Sequence, residues 1–199
     1  MLDTKTGLGI IATLIAILAF IPYFRDIALS KTKPHAFSWL IWGLLMLIAY
    51  SAQVTGHAGP GAWVTGISAA ICLSIFFLAL KRGEKSITRF DKGCLIFALA
   101  AIPVWATTKT PLWSVIMVSI IDAVGFLPTF RKAYARPFEE TRVTFTLSAM
   151  KFIVALFAFD EYSLTTLLYP STLIFTNISF VMLLTIRRKA VTASMKTQA

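Results

Sequence analysis

Phe20-Ile21-Pro22-Tyr23-Phe24-Arg25 and Phe126-Leu127-Pro128-Thr129-Phe130-Arg131 repeat one pattern 106 positions apart. The same offset keeps most of the chain in register. Ile10 meets Ile116, Ala49 meets Ala155, Leu78 meets Leu184, and Lys81-Arg82 meets Arg187-Arg188. Apolar segments start and stop together in the two halves. A fixed internal period belongs to the whole fold, so it governs every local assignment. In a membrane protein, tandem halves commonly enclose a site between them.

Composition points to a bilayer. Apolar types make up 57% of the 199 residues and charged types 14%, and the mean hydropathy is +0.77. Residues 36–80 and 162–186 contain no Asp, Glu, Lys or Arg. A membrane span needs roughly 20 apolar residues, and these stretches supply them. The N-terminal apolar run, Leu8 to Ile21, has the look of a secretory leader but passes into Pro22 and a basic loop without a convincing cleavage site. It is expected to be the first span. Cys72 and Cys94 both fall in apolar segments and read as buried small residues rather than a disulfide or metal pair.

Breakers divide the chain into helices expected near 7–28, 36–55, 60–81, 93–108, 112–133, 143–159 and 163–187. The basic residues then sort to one side. The loops after the first, third and fifth segments and the C-terminal tail hold 16 of the 19 Lys and Arg residues. Lys5 and Lys109 fall on the opposite side with Asp160 and Glu161, and Lys151 falls within a span. Positive-inside bias therefore predicts an external N-terminus and a cytoplasmic C-terminus. The net charge of +10 is assigned to this bias and not to nucleic-acid binding. The expected fold is all-α, a polytopic membrane protein with seven transmembrane helices. Two parallel three-helix bundles, residues 1–85 and 110–190, are joined by a linker helix in 86–109, with a cytoplasmic tail over 191–199.

This 3–1–3 pattern, with a proline toward the inner end of each unit's first helix, resembles the SWEET and PQ-loop superfamily of transporter-like membrane proteins. The resemblance covers nearly the whole chain in architecture and the repeat cores in sequence. Where that superfamily carries a Pro-Gln pair, this chain has Pro22-Tyr23 and Pro128-Thr129. Sugar-carrying members also have prolines in the second helix of each unit and an asparagine in the third. The second helices here lack proline, Asn177 fits the asparagine position, and Ile71 occupies it in the first half. The resemblance implies the fold and a membrane role; a sugar substrate does not follow. Vitamin-precursor carriers and the seven-helix receptor that retrieves luminal proteins share the architecture.

Pro22 and Pro128 are candidate hinges, because a proline inside a helix removes a backbone bond and bends the axis. Alternatively, they end their helices at the inner surface. Asp122, Lys151 and Asn177 all lie about 8–10 residues from the cytoplasmic ends of their helices, hence roughly 12–15 Å into the membrane. Ionisable groups at that depth mark functional sites by default. Three roles fit Asp122 and Lys151: an ion pair locking the second bundle, direct substrate contact, or proton coupling. The equivalent positions of the first half are Ala16, Leu45 and Ile71, which predicts a pocket with one polar and one apolar wall, suited to a small amphiphilic or charged solute. Trp39 and Trp42, one turn apart, fit either an interfacial aromatic belt or a stacking wall for a ligand. Trp63 and Trp113 read as belt residues. His35 and His57 read as solvated, and Glu139-Glu140 as helix-start charge.

The expected function is a small-solute transporter working by alternating access, with proton coupling an open possibility. The alternative is a non-transporting receptor or signalling protein on the same scaffold. No metal set, nucleophile–base pair or facing carboxylates is visible, so neither an enzyme nor a cofactor is expected. The expected partners are a small-molecule substrate and the lipid bilayer, with self-association left open. A bacterial inner membrane is the natural setting for so compact a chain.

Overall fold

The structure, a computed structural model, describes residues 3–55, 58–107, 111–160 and 162–197. His57, Lys109 and Glu161 lie outside the described residues. Among the described residues there are seven α-helices and no strand: α1 (Thr4–Ala28), α2 (Ala36–Thr55), α3 (Trp63–Arg82), α4 (Arg89–Thr107), α5 (Pro111–Ala135), α6 (Arg142–Leu156) and α7 (Leu164–Thr197). Short 3-10 turns at Gly59–Ala62 and Pro137–Glu139 lead into α3 and α6.

Local chemistry sets these boundaries. Asp3 caps α1 by accepting from the Thr6 amide at 2.9 Å. Thr88 and Asp91 bond reciprocally to each other's backbone N–H at the start of α4. Gly59 takes a positive φ of 67°, open to glycine at little steric cost, just before Pro60. Pro22 and Pro128 lie inside α1 and α5 rather than at their ends. Those helices continue past them because the flanking residues keep their own bonds. α7 runs to Thr197, past the expected limit at 187, because the basic and alanine-rich tail contains no glycine or proline to stop it.

The helices alternate in direction. The C-terminal end of α1 meets the start of α6, where Thr144 Oγ1 donates to the Ala19 carbonyl at 2.9 Å. The C-terminal end of α5 meets the start of α2, where Thr129 Oγ1 donates to Ser38 Oγ at 2.9 Å. At the opposite end Lys5 pairs with Asp160 at 2.9 Å. So α1, α3, α5 and α7 end where α2, α4 and α6 begin. In each half the third helix packs between the other two: α3 touches α1 and α2, and α7 touches α5 and α6. Across the middle, α1 packs on α6 and α2 on α5, while α4 lies against α5.

The seam of α1 is built from Gly9, Ala12, Ala16 and Ala19, all buried, small residues that let neighbouring backbones approach closely. Its opposite face exposes Ile10, Leu14, Ile17, Leu18 and Ile21. The stretches Thr4–Ala28, Gly59–Arg82 and Thr166–Met195 are long and apolar enough to cross a bilayer; Ala36–Ser51 is apolar but shorter. Seven spans were expected. Charges explain part of the difference, since α5 carries Asp122, Arg131 and Lys132, and the 15-residue α6 carries Lys151.

Candidate functional site

A small cavity of about 30 Å³ sits where the two halves meet. Lys151, Asn177, Trp39 and Trp42 line it, with Phe20, Phe126, Phe145 and Phe152 among the surrounding rings. Its volume admits about one water. Trp39 and Trp42 are buried, their rings perpendicular with centroids 5.0 Å apart. They form an interior wall and not an interfacial belt.

Lys151 is 1% exposed. Its Nζ donates to Ser68 Oγ at 2.7 Å and lies 5.0 Å from the centre of the Phe20 ring and 4.8 Å from that of Phe152. No ion pair among the described residues includes Lys151. Asp122 therefore does not neutralise it. That carboxylate is fully buried, accepts from the Tyr169 hydroxyl at 3.3 Å, and leaves Oδ2 without a partner. Asn177 spends one of its two side-chain N–H groups on its own helix, donating to the Leu173 carbonyl at 2.7 Å. The hydroxyl, amine and amide side chains of the lining, Thr144, Ser148, Lys151 and Asn177, come from the second half, while the hydroxyl partner of Lys151 comes from the first. Ser68 on α3 completes the Lys151 site, and Cys72, one turn further along, lies near both charged groups. Ser68 does not fall at Ala16, Leu45 or Ile71, the positions equivalent to the three polar residues of the second half. A serine in the middle of an uncharged stretch was the available signal.

Beneath the cavity, at the basic end, lies a buried ionic layer that pattern reading did not find. Lys132 and Glu140, both fully enclosed, form an ion pair. The Tyr23 hydroxyl donates to Glu140 Oε2 at 3.2 Å and accepts from Trp39 Nε1 at 3.2 Å. Trp39 thus links the cavity wall to the layer. Arg188 of α7 donates to the Glu140 carbonyl, and Lys132 donates to the carbonyls of Lys33 and Glu139. Burial raises the Glu140 carboxyl above its usual range, with Lys132 pulling against it. Glu140 is an interior lock, not helix-start charge. Glu139 faces outward to Lys33, at 2.9 Å.

Two further ties close the same end. Arg131 grips Asp91 through two bonds, at 2.9 and 2.7 Å, fastening α5 to α4. Arg136 pairs with Glu84. Burial alone would raise the Glu84 carboxyl, but bonds from Arg136 and the Ser86 amide hold it at about 2. His35 is fully buried 3.5 Å from Asp91 and not solvated as expected. The 29–35 and 83–91 segments fold over it, and burial lowers its pKa below the usual value. Trp63 and Trp113 are exposed.

The geometry is a small aromatic-lined cavity with the Lys151 amine in its wall, next to a buried ionic layer. Comparison with family models, with curated proteins and with solved structures finds no match to this chain.

Proposed function

We propose that this chain is a small-solute membrane transporter, built as two parallel helix trios with α4 as the linking crossing. The solute site is the chamber between the trios. The supporting observation is the buried, carboxylate-free ammonium of Lys151 in a cavity walled by both halves. Burying a charge without its counter-ion is costly, and a fold that only needed packing would place an apolar residue there.

Several features support a twofold, SWEET-like or PQ-loop-like organisation with seven crossings. The four odd-numbered helices run one way and the three even-numbered ones the other. Helix neighbours repeat between the halves. Lys33 and Glu139, 106 residues apart, pair with each other, as residues beside a twofold axis do. Tyr23 and Thr129, which follow the two prolines, each reach the other half. With the basic end toward the cytoplasm, as in a bacterial inner membrane, the ionic layer is the closed inner gate. Pro22 and Pro128, one turn above it, are the hinges. Asp122, buried beside Tyr169 and apart from Lys151, is the candidate for coupling to protons.

The test is flux in proteoliposomes over a panel of small metabolites, with and without an imposed proton gradient. Lys151→Met should abolish accumulation, and Asp122→Asn should abolish its gradient dependence, with both proteins still monodisperse in detergent. Binding without flux in the wild type would sink transport in favour of the receptor alternative.

A further inference from the structure

The chamber also indicates what kind of solute it accepts. We propose that the transported solute is a small organic anion, its carboxylate held by the Lys151 ammonium and its apolar body stacked among the aromatic rings. This deepens the transport site proposed above and rests on it.

Three observations carry it. First, Lys151 uses one of its three donors on Ser68, and no ion pair among the described residues neutralises it. Second, the Trp42 indole N–H is buried on the cavity wall without a partner. Such a donor is costly to leave unmade. Third, no carboxylate lines the cavity: Asp122 is not part of the lining, whose side-chain oxygens are the Thr144 and Ser148 hydroxyls and the Asn177 amide. A carboxylate in the cavity would neutralise the ammonium and accept from its remaining N–H groups.

Competing solutes fit less well. An organic cation would find rings, but Phe20 and Phe152 already face the Lys151 ammonium, and like charges repel at that range. A polyol needs alternating donors and acceptors along its length, whereas most of the lining is aromatic or aliphatic, the Thr144 hydroxyl proton goes to the Ala19 carbonyl and one Asn177 N–H goes to Leu173. An inorganic anion would leave the aromatic walls unused. At about 30 Å³ the chamber is closed around a vacancy smaller than any such solute, so binding requires the trios to part.

The experiment is equilibrium binding by calorimetry on the full-length protein in detergent. Acetate, benzoate and indole-3-acetate are each compared with the corresponding amide, and benzylammonium serves as the cation control. At least one carboxylate should bind tighter than its amide by about tenfold or more, with benzylammonium not bound. Lys151→Gln should bring that ratio near one, while Lys151→Arg keeps it. Amide or ammonium binding equal to the carboxylate, no carboxylate binding at millimolar concentration, or an unchanged ratio in Lys151→Gln overturns the proposal. If Lys151→Gln does not fold, the wild-type comparison decides alone. Counterflow separates the two claims. Carboxylate binding without flux sinks transport and leaves the anion site standing, whereas flux of amides or amines alone sinks the anion site and leaves transport standing.

Discussion

Lys151 sits inside the bundle against a hydroxyl and two ring faces, contacts worth about 2 kcal/mol per desolvated cation–π pair when the amine is charged. Its burial was legible in the sequence, as was that of Asn177 and of Asp122. Their partners were not, because which way a helix turns its polar residues depends on neighbours that the sequence does not name. Ser68 and Tyr169 are such partners, one from each half. Glu84 is a similar case with a pH signature. Its carboxyl, held at about 2 against an ordinary 4.5, contributes stability that is present above pH 4.5 and is lost as pH falls toward 2. Glu84→Gln should cost about 1–3 kcal/mol at neutral pH and flatten that acid limb. Thermal unfolding in detergent across pH 2–5 checks this; an identical acid limb in the variant would remove Glu84 as its source.

Among elements, helix limits were the most legible feature. Glycine, proline and charge clusters punctuate the chain at the same places where the helices stop, since those residues act through local backbone geometry. Continuation through Pro22 and Pro128 was left open by the sequence, because a proline is compatible with both a bend and an end. Close packing was not legible either. A β-carbon placed on Gly9 would lie 2.6 Å from Pro60 Cβ and 2.8 Å from its carbonyl oxygen, whereas one on Gly7 meets nothing within 4 Å. Gly9→Ala should therefore destabilise by about 1–3 kcal/mol, and Gly7→Ala should stabilise by about 0.5–1 kcal/mol through helix propensity. Denaturant unfolding of the pair measures both, and equal effects would show that the α1–Pro60 contact is loose.

Across the whole molecule, the two halves meet through an aromatic chamber and an ionic layer of opposite character. Lys132 and Glu140 sit at the centre of that layer. Removing one partner of a buried pair leaves the other charge uncompensated, at a cost of about 3–5 kcal/mol, whereas removing both is often close to neutral. Lys132→Met should be strongly destabilising, and the double variant with Glu140→Gln should recover most of the loss. Melting curves of the single and double variants test this. Additive losses would mean the two side chains do not act as a pair.

Composition and pattern alone established an all-helical chain with seven segments, breakers between them, and polar residues within the apolar segments of the second half. These follow from residue type and spacing, which act locally and are readable in one dimension. Tertiary structure decided that Lys151 and Asp122 stand apart, that Trp39 and Trp42 face inward, and that Lys132, Glu140 and Tyr23 form one buried lock. Those outcomes depend on helix rotation and on contacts between residues more than a hundred positions apart, and only packing of the whole chain sets them.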